Sequence, residues 1–143
     1  MIFWIFLKLK KMIKLVFELL EGKEQKVEKR EFLKIDEGIR YMGGNEQLYR
    51  NVLKTYAQEN KNVSETLAAL IENKDYHEAA LRIHKIKSSS GSIGARDLFQ
   101  TASQFQKTLE RNDTAVIEAD FKKFCIQING VLSAIEDYLK TAF

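Results

Sequence analysis

Apolar residues recur at helical spacing along nearly the whole chain, and nowhere do they settle into the two-residue alternation of a strand. Leu9, Met12, Val16 and Leu19 follow at intervals of three and four, with Ile13 and Leu20 beside them. Lys10, Lys14, Glu18 and Glu21 fall on the other side. That stripe predicts an amphipathic helix ending near Gly22. Gly22 to Arg30 is charged and weakly apolar, and reads as a linker or a frayed extension of the helix. Phe32, Ile35 and Ile39 space a short helix that stops at Gly43 and Gly44. Asn45 is placed to cap a longer helix carrying Leu48, Val52, Tyr56, Val63, Leu67, Leu70 and Ile71. Whether that helix bends near Asn60 to Asn62 is left open by the spacing. Asp75 caps the next, with Tyr76, Ala80, Ile83, Ile86, Ser90 and Ile93 in phase, and Gly94 marks its exit. Leu98, Ala102, Phe105 and Leu109 space another that ends near Asn112. Asp113 or Thr114 caps the last, which carries Ile117, Phe121, Phe124, Ile128, Leu132, Ile135 and Leu139.

Connections this short make successive helices antiparallel neighbours. The expected fold is therefore all-α: an antiparallel up-and-down bundle of four main helices, preceded by the short helix and by the extra N-terminal amphipathic one. Residues 1–30 form a leader and linker, and residues 31–143 the bundle. A chain of 143 residues can bury roughly 70% of its unfolded surface, enough for a core without staples. The lack of proline agrees with a mostly helical chain. A single cysteine, Cys125, excludes an internal disulfide and any zinc site built from cysteine pairs, and in an apolar stretch it reads as a buried small hydrophobe. Two histidines, His77 and His84, are too few for a multi-histidine metal centre. Trp4, Phe17, Phe32, Tyr41, Phe99, Phe121 and Phe124 read mostly as core or helix-packing residues.

The formal charge of +3 changes meaning when divided along the chain. Residues 1–30 carry eight basic and four acidic side chains; the remaining residues carry 15 basic and 16 acidic. A nucleic-acid-binding domain would carry its basic stripe on the folded body, so no nucleic-acid partner is expected. The leader begins with seven apolar residues, but Lys8, Lys10 and Lys11 interrupt the run well short of the ~20 needed to cross a bilayer. Its charges follow the apolar run instead of preceding it, unlike a secretory signal. Three readings stay open: a helix packed on the body or on a second copy, a helix lying on a membrane surface, or a mis-set start or remnant of a longer protein.

His84 lies to one side of the apolar stripe formed by Tyr76, Ala80, Ile83 and Ile86, toward solvent. Ser88 and Gly91 follow it at i+4 and i+7, so small residues occupy the same face. Mid-helix glycine costs about 0.5–1 kcal/mol relative to alanine, and a solvated face gains nothing obvious from it. A low-relief face beside an imidazole would let another protein's active site approach. Lys85 and Lys87 bracket the histidine, and Lys87 at i+3 can lean toward the ring. His77, two turns earlier and about 10.5 Å along the axis, is too far to share a proton or metal with it and reads as a solvated residue.

The run from Ala79 to Ala95, AALRIHKIKSSSGSIGA, resembles the signature of histidine-containing phosphotransfer (HPt) domains, roughly A-H-x-L-K-G-S-[SA]-x-x-[IL]-G-A. Ile35 to Ile39 with Gly43 to Tyr49 is similar to the family's opening helix and turn, and Leu98, Ala102 and Leu109-Glu110 to the helix after the histidine. The resemblance spans about residues 32 to 141 and leaves out the leader. Two positions depart from the pattern. Ser88 replaces the usual glycine, which bears on docking or partner choice, and Ile83 replaces the usual alanine on the buried side.

The resemblance implies a phosphorelay intermediate of a two-component system. His84 would accept a phosphoryl group from a receiver-domain aspartyl phosphate, or from a hybrid sensor kinase, and pass it to another receiver. Imidazoles as a class titrate near about 6.5 and so offer a neutral nitrogen nucleophile at pH 7. Lys87 is the expected cation at the phosphoryl group. Folding the chain about residues 93–95 brings positions 104–106 level with His84. Both Gln104 and Gln106 lie there, and the family likeness selects Gln106 as hydrogen-bond partner of imidazole or phosphoryl. Leu81, Lys85, Ser88 and Gly91 form the expected docking face. No cofactor of its own and no metal ligands are expected, since the partner receiver domain would bring Mg²⁺. The protein would be a phosphocarrier without an ATP site, cytoplasmic or peripheral to the inner face of the membrane, with contact or oligomerisation through the leader as further options. The alternatives are a pseudo-HPt adaptor that binds receivers or kinases without carrying phosphate, a detached phosphoacceptor module of a chemotaxis-type kinase, and a membrane-attached structural bundle.

Overall fold

The computed structural model describes residues 2–23 and 32–141, with side chains from 4–16 and 32–141. The expected linker over residues 24–30 and the packing expected of Phe17, Leu19 and Leu20 lie outside these. Seven helices follow in order among the described residues: α1 (Ile2–Lys23), α2 (Ile35–Tyr41), α3 (Glu46–Asn60), α4 (Val63–Glu72), α5 (Tyr76–Ser92), α6 (Arg96–Glu110) and α7 (Thr114–Leu139). No strand interrupts them there. The expected all-α bundle is what forms, with α5, α6 and α7 as three of its long members and α3 with α4 as the fourth.

The caps explain the boundaries. Asn45 accepts a hydrogen bond from the Leu48 amide at 2.9 Å, and Asp75 accepts one from Glu78 at 3.4 Å, each satisfying an otherwise orphan donor of a first turn. Asp113 occupies the corresponding position before α7 without a side-chain cap. The long helix left open at Asn60 to Asn62 is broken there. α3 ends with the buried Asn60 amide donating to the Tyr56 carbonyl at 2.9 Å, and Asn62 leaves helical geometry before α4 begins.

Leu53, Leu67, Ile83, Leu98, Phe105, Leu109, Phe121, Phe124 and Ile128 are among the side chains that fill the core. Phe105 sits 6.0 and 5.8 Å from the rings of Phe121 and Phe124, joining α6 to α7. Two buried polar contacts are paired within this apolar mass. Thr108 donates to Asp120 at 2.6 Å, and Tyr56 shares a 2.9 Å hydrogen bond with Ser90. Such groups would cost about 1–3 kcal/mol each if left unpartnered. Burial pushes the Tyr56 hydroxyl up to about 12 despite that bond. Cys125 is buried as expected, and burial pushes its thiol up to about 12 against a smaller opposing effect of Ser64.

The end of α5 is tied to the start of the bundle through Gly94. Its carbonyl accepts from the Lys34 amide at 2.8 Å, its φ is +90°, and a Cβ there would run into the Lys34 carbonyl. Next to it the Tyr49 hydroxyl donates to the Ile93 carbonyl at 2.8 Å. The leader packs on the body along α4 and α7, with Leu9 buried and Ile13 against the core. Two aromatics expected to pack, Trp4 and Tyr41, are instead exposed, and Phe99 packs against α5 with part of its ring in solvent. Helical phase placed them, but no neighbouring helix covers those directions fully. No helix among the described residues is long and apolar enough to cross a membrane.

Gly94→Ala, which meets both an unfavourable φ and a backbone clash, is expected to lower unfolding free energy by at least about 2 kcal/mol. Gly43→Ala, at φ +69° in open space, should cost only about 1 kcal/mol in the same urea titration. Because a raised thiol pKa leaves little thiolate at pH 8, native Cys125 should resist iodoacetamide and react only when urea unfolds the chain.

Candidate functional site

α5 is rotated so that Ala79, Ala80, Ile83, Ile86 and Ser90 point into the bundle. At 100° per residue this turns His84 outward, and its side chain is exposed. The second half of the helix is a serine run that could compete for its own backbone. Here the hydroxyls fold back instead. Ser88 donates to the His84 carbonyl at 3.2 Å, Ser89 to Ile86 at 3.1 Å, Ser90 to Ile86 at 2.6 Å and Ser92 to Ser88 at 3.3 Å. Ser88 therefore keeps its extra bulk close to the helix, one turn beyond the histidine.

The opposite wall comes from α6 in hairpin register. His84 and Gln106 are equidistant from Ala95, as are Gly91 and Phe99, and both pairs meet. Gln106 Oε1 lies 3.4 Å from His84 Nδ1, whereas Gln104, the other glutamine at this level, is exposed. The Gln106 Nε2 donates to Glu110 Oε2 at 3.0 Å. That second bond sets the orientation of the first. A carboxylate only accepts, so the amide NH₂ faces Glu110 and its carbonyl faces the ring. A carbonyl also only accepts, so in the neutral ring this contact matches a proton on Nδ1, the tautomer that keeps the lone pair on Nε2. Glu110 is the member of this chain that sequence reasoning missed; its i+4 spacing from Gln106 was the available signal.

Lys87 is half-buried, and its ammonium stands 5.9 Å from the Phe99 ring centroid. Phe99, at the start of α6, is 39% exposed. A Cβ on Gly91 would stand 3.1 Å from its ring. The glycine expected to lie on an open face thus has a packing reason, and the face is low at Ser88 but carries an aromatic at Gly91. Leu81 is 53% exposed one turn before His84, and Lys85 is exposed on the side facing the α3–α4 corner. His77 is exposed at the start of α5. Among the described residues no three His, Cys, Asp or Glu side chains gather to hold a metal ion.

An exposed imidazole held on one side by an amide, with small and apolar residues along its own helix, defines a helical bundle that presents a histidine at its surface. The Hpt domain family model matches residues 51–140, and the chain belongs to that family. Hpt domains carry phosphoryl groups on histidine in two-component phosphorelays, acting as phosphocarriers with receiver domains and kinases as their partners. Comparisons with curated proteins and with solved structures each gave no significant match.

Replacing Gln106 with Leu removes the acceptor that holds the Nδ1 proton. In ¹⁵N spectra of the imidazole, the wild-type ring is expected as the Nδ1–H tautomer, and Q106L should shift toward Nε2–H. Glu110→Ala should shift it in the same direction but less, since the amide carbonyl remains.

Proposed function

We propose that this chain is a phosphorelay intermediate in which His84 takes a phosphoryl group from one receiver domain and gives it to another. The observation that carries the reading is an exposed His84 whose Nδ1 lies 3.4 Å from the Gln106 amide oxygen. The Nε2 lone pair attacks phosphorus of the receiver's aspartyl phosphate. An N–P bond forms as the O–P bond breaks, and its electron pair leaves with the receiver's carboxylate. The positive charge that develops on the ring is met through Nδ1–H by the Gln106 carbonyl, itself backed by Glu110. The second receiver reverses these steps with its own aspartate as nucleophile. Transfer of this kind depends on in-line positioning and charge neutralisation more than on protein acid–base chemistry, with Mg²⁺ assigned to the receiver.

Lys87 supplies this chain's cation. A cation–aromatic contact at an exposed site is worth only about 0.5–1 kcal/mol, so its flexible stem can leave Phe99 for a phosphoryl oxygen at little cost. Leu81, Ser88 and Gly91 with Phe99 form the docking face, and Lys85 borders it. In this reading the chain works beside its receivers, in the cytoplasm.

Incubation with a phosphorylated receiver is expected to give an acid-labile, base-stable label on wild type and none on His84→Gln, while His77→Gln labels normally. Loss of the Gln106 hydrogen bond, worth about 1 kcal/mol, should slow transfer about fivefold in Q106L. Absence of label on wild type alongside retained receiver binding would favour the adaptor reading. Equal labelling of H84Q would move the site elsewhere.

A further inference from the structure

α1 is apolar on two sides, and the bundle uses only one of them. Leu9 and Ile13 face α4 and α7, while Trp4 is 64% exposed, Leu15 59% and Leu7 44%. At 100° per residue these three lie on the side away from Leu9. Lys8, Lys10, Lys11 and Lys14 are all exposed, and residues 4–16 contain no acidic side chain. Lys8 Nζ stands 5.7 Å over the Trp4 ring, so cation and aromatic share one patch. Where α1 meets the α3–α4 corner, a groove of about 640 Å³ continues the basic surface with Lys10, Lys11, Lys14 and Lys61 on its walls, and Glu65 as an acid among them.

We propose that this outward face docks the protein on an anionic lipid surface. A large aromatic and two leucines set among lysines match the two layers of such a surface. The apolar groups enter the headgroup boundary while the ammonium groups stay with the phosphates. The charge decides between occupants. A second copy of α1 would offer its five lysines only two acids, Glu18 and Glu21, and a nucleic acid would leave Trp4, Leu7 and Leu15 without apolar cover. The helix lies on the surface without spanning it. Docking needs no unpacking of the bundle, because Leu9 and Ile13 stay on α4 and α7. His84, in the wall formed by α5 and α6, is held by helices other than those that seat α1.

Trp4 is the chain's one tryptophan, so its emission reports on this face. The full chain is expected to sediment with phosphatidylcholine vesicles containing phosphatidylserine, with a blue shift of emission, and to stay in solution with phosphatidylcholine alone. Each lysine near an anionic surface is worth about fivefold in partitioning, so Lys8→Gln with Lys11→Gln should weaken binding roughly 25-fold. Raising NaCl to about 0.5 M should release the wild-type chain without any substitution. No blue shift with the anionic vesicles overturns the proposal. So does equal binding to neutral vesicles, or a shift that depends on protein concentration without lipid.

Discussion

Ile83, Ile86 and Ser90 are buried inside the bundle, Ser90 hydrogen-bonded to Tyr56 and α5 packed along α6, and this fixes the rotational phase of α5. Burying an isoleucine is worth about 1.5–3 kcal/mol, so a slip that turned Ile83 and Ile86 outward would cost several kcal/mol before any polar loss was counted. The same phase that buries them turns His84 out. The histidine needs no local force to hold it in water; the neighbours on its own helix do so.

The α5–α6 hairpin then decides what the imidazole meets. One register brings Gln106 to His84 and Phe99 to Gly91, and it is the register of the tight turn in which Gly94 takes a φ of +90° and the Ala95 amide bonds back to the Ser90 carbonyl. The polar chain from His84 through Gln106 to Glu110 lies at the rim and adds little to stability, since exposed bonds of this kind contribute about 1 kcal/mol or less. Its consequence is chemical: it decides which ring nitrogen is free. Stability and chemistry thus sit in separate layers of the same two helices, with Phe105 and Leu109 inside and Gln106 and Glu110 outside.

Helical periodicity made the fold and the phase of α5 legible, because burial repeats at 3.6 residues whatever lies on the other side. Asn45 and Asp75 announced two helix starts through a local bond that the sequence contains entirely. The hairpin register was legible as far as a pair of glutamines. What periodicity lacks is the identity of the neighbour. It could not show that Gly91 is small because Phe99 lies over it, that Tyr41 and Trp4 reach past the helices beside them, or that Glu110 turns the Gln106 amide. The break between α3 and α4 was also hidden, since the apolar stripe runs on through Asn60 to Asn62 and the buried Asn60 amide that bonds back to Tyr56 looks polar in sequence.

In the proposed relay, Nε2 of His84 is the nucleophile. This assignment is tested most directly by incubating the chain with a phosphorylated receiver and assigning the phosphoryl group by ³¹P–¹⁵N coupling in the ¹⁵N-histidine-labelled protein. The account predicts coupling to Nε2 of His84 alone. Coupling to Nδ1 of His84, or to either nitrogen of His77, would contradict it.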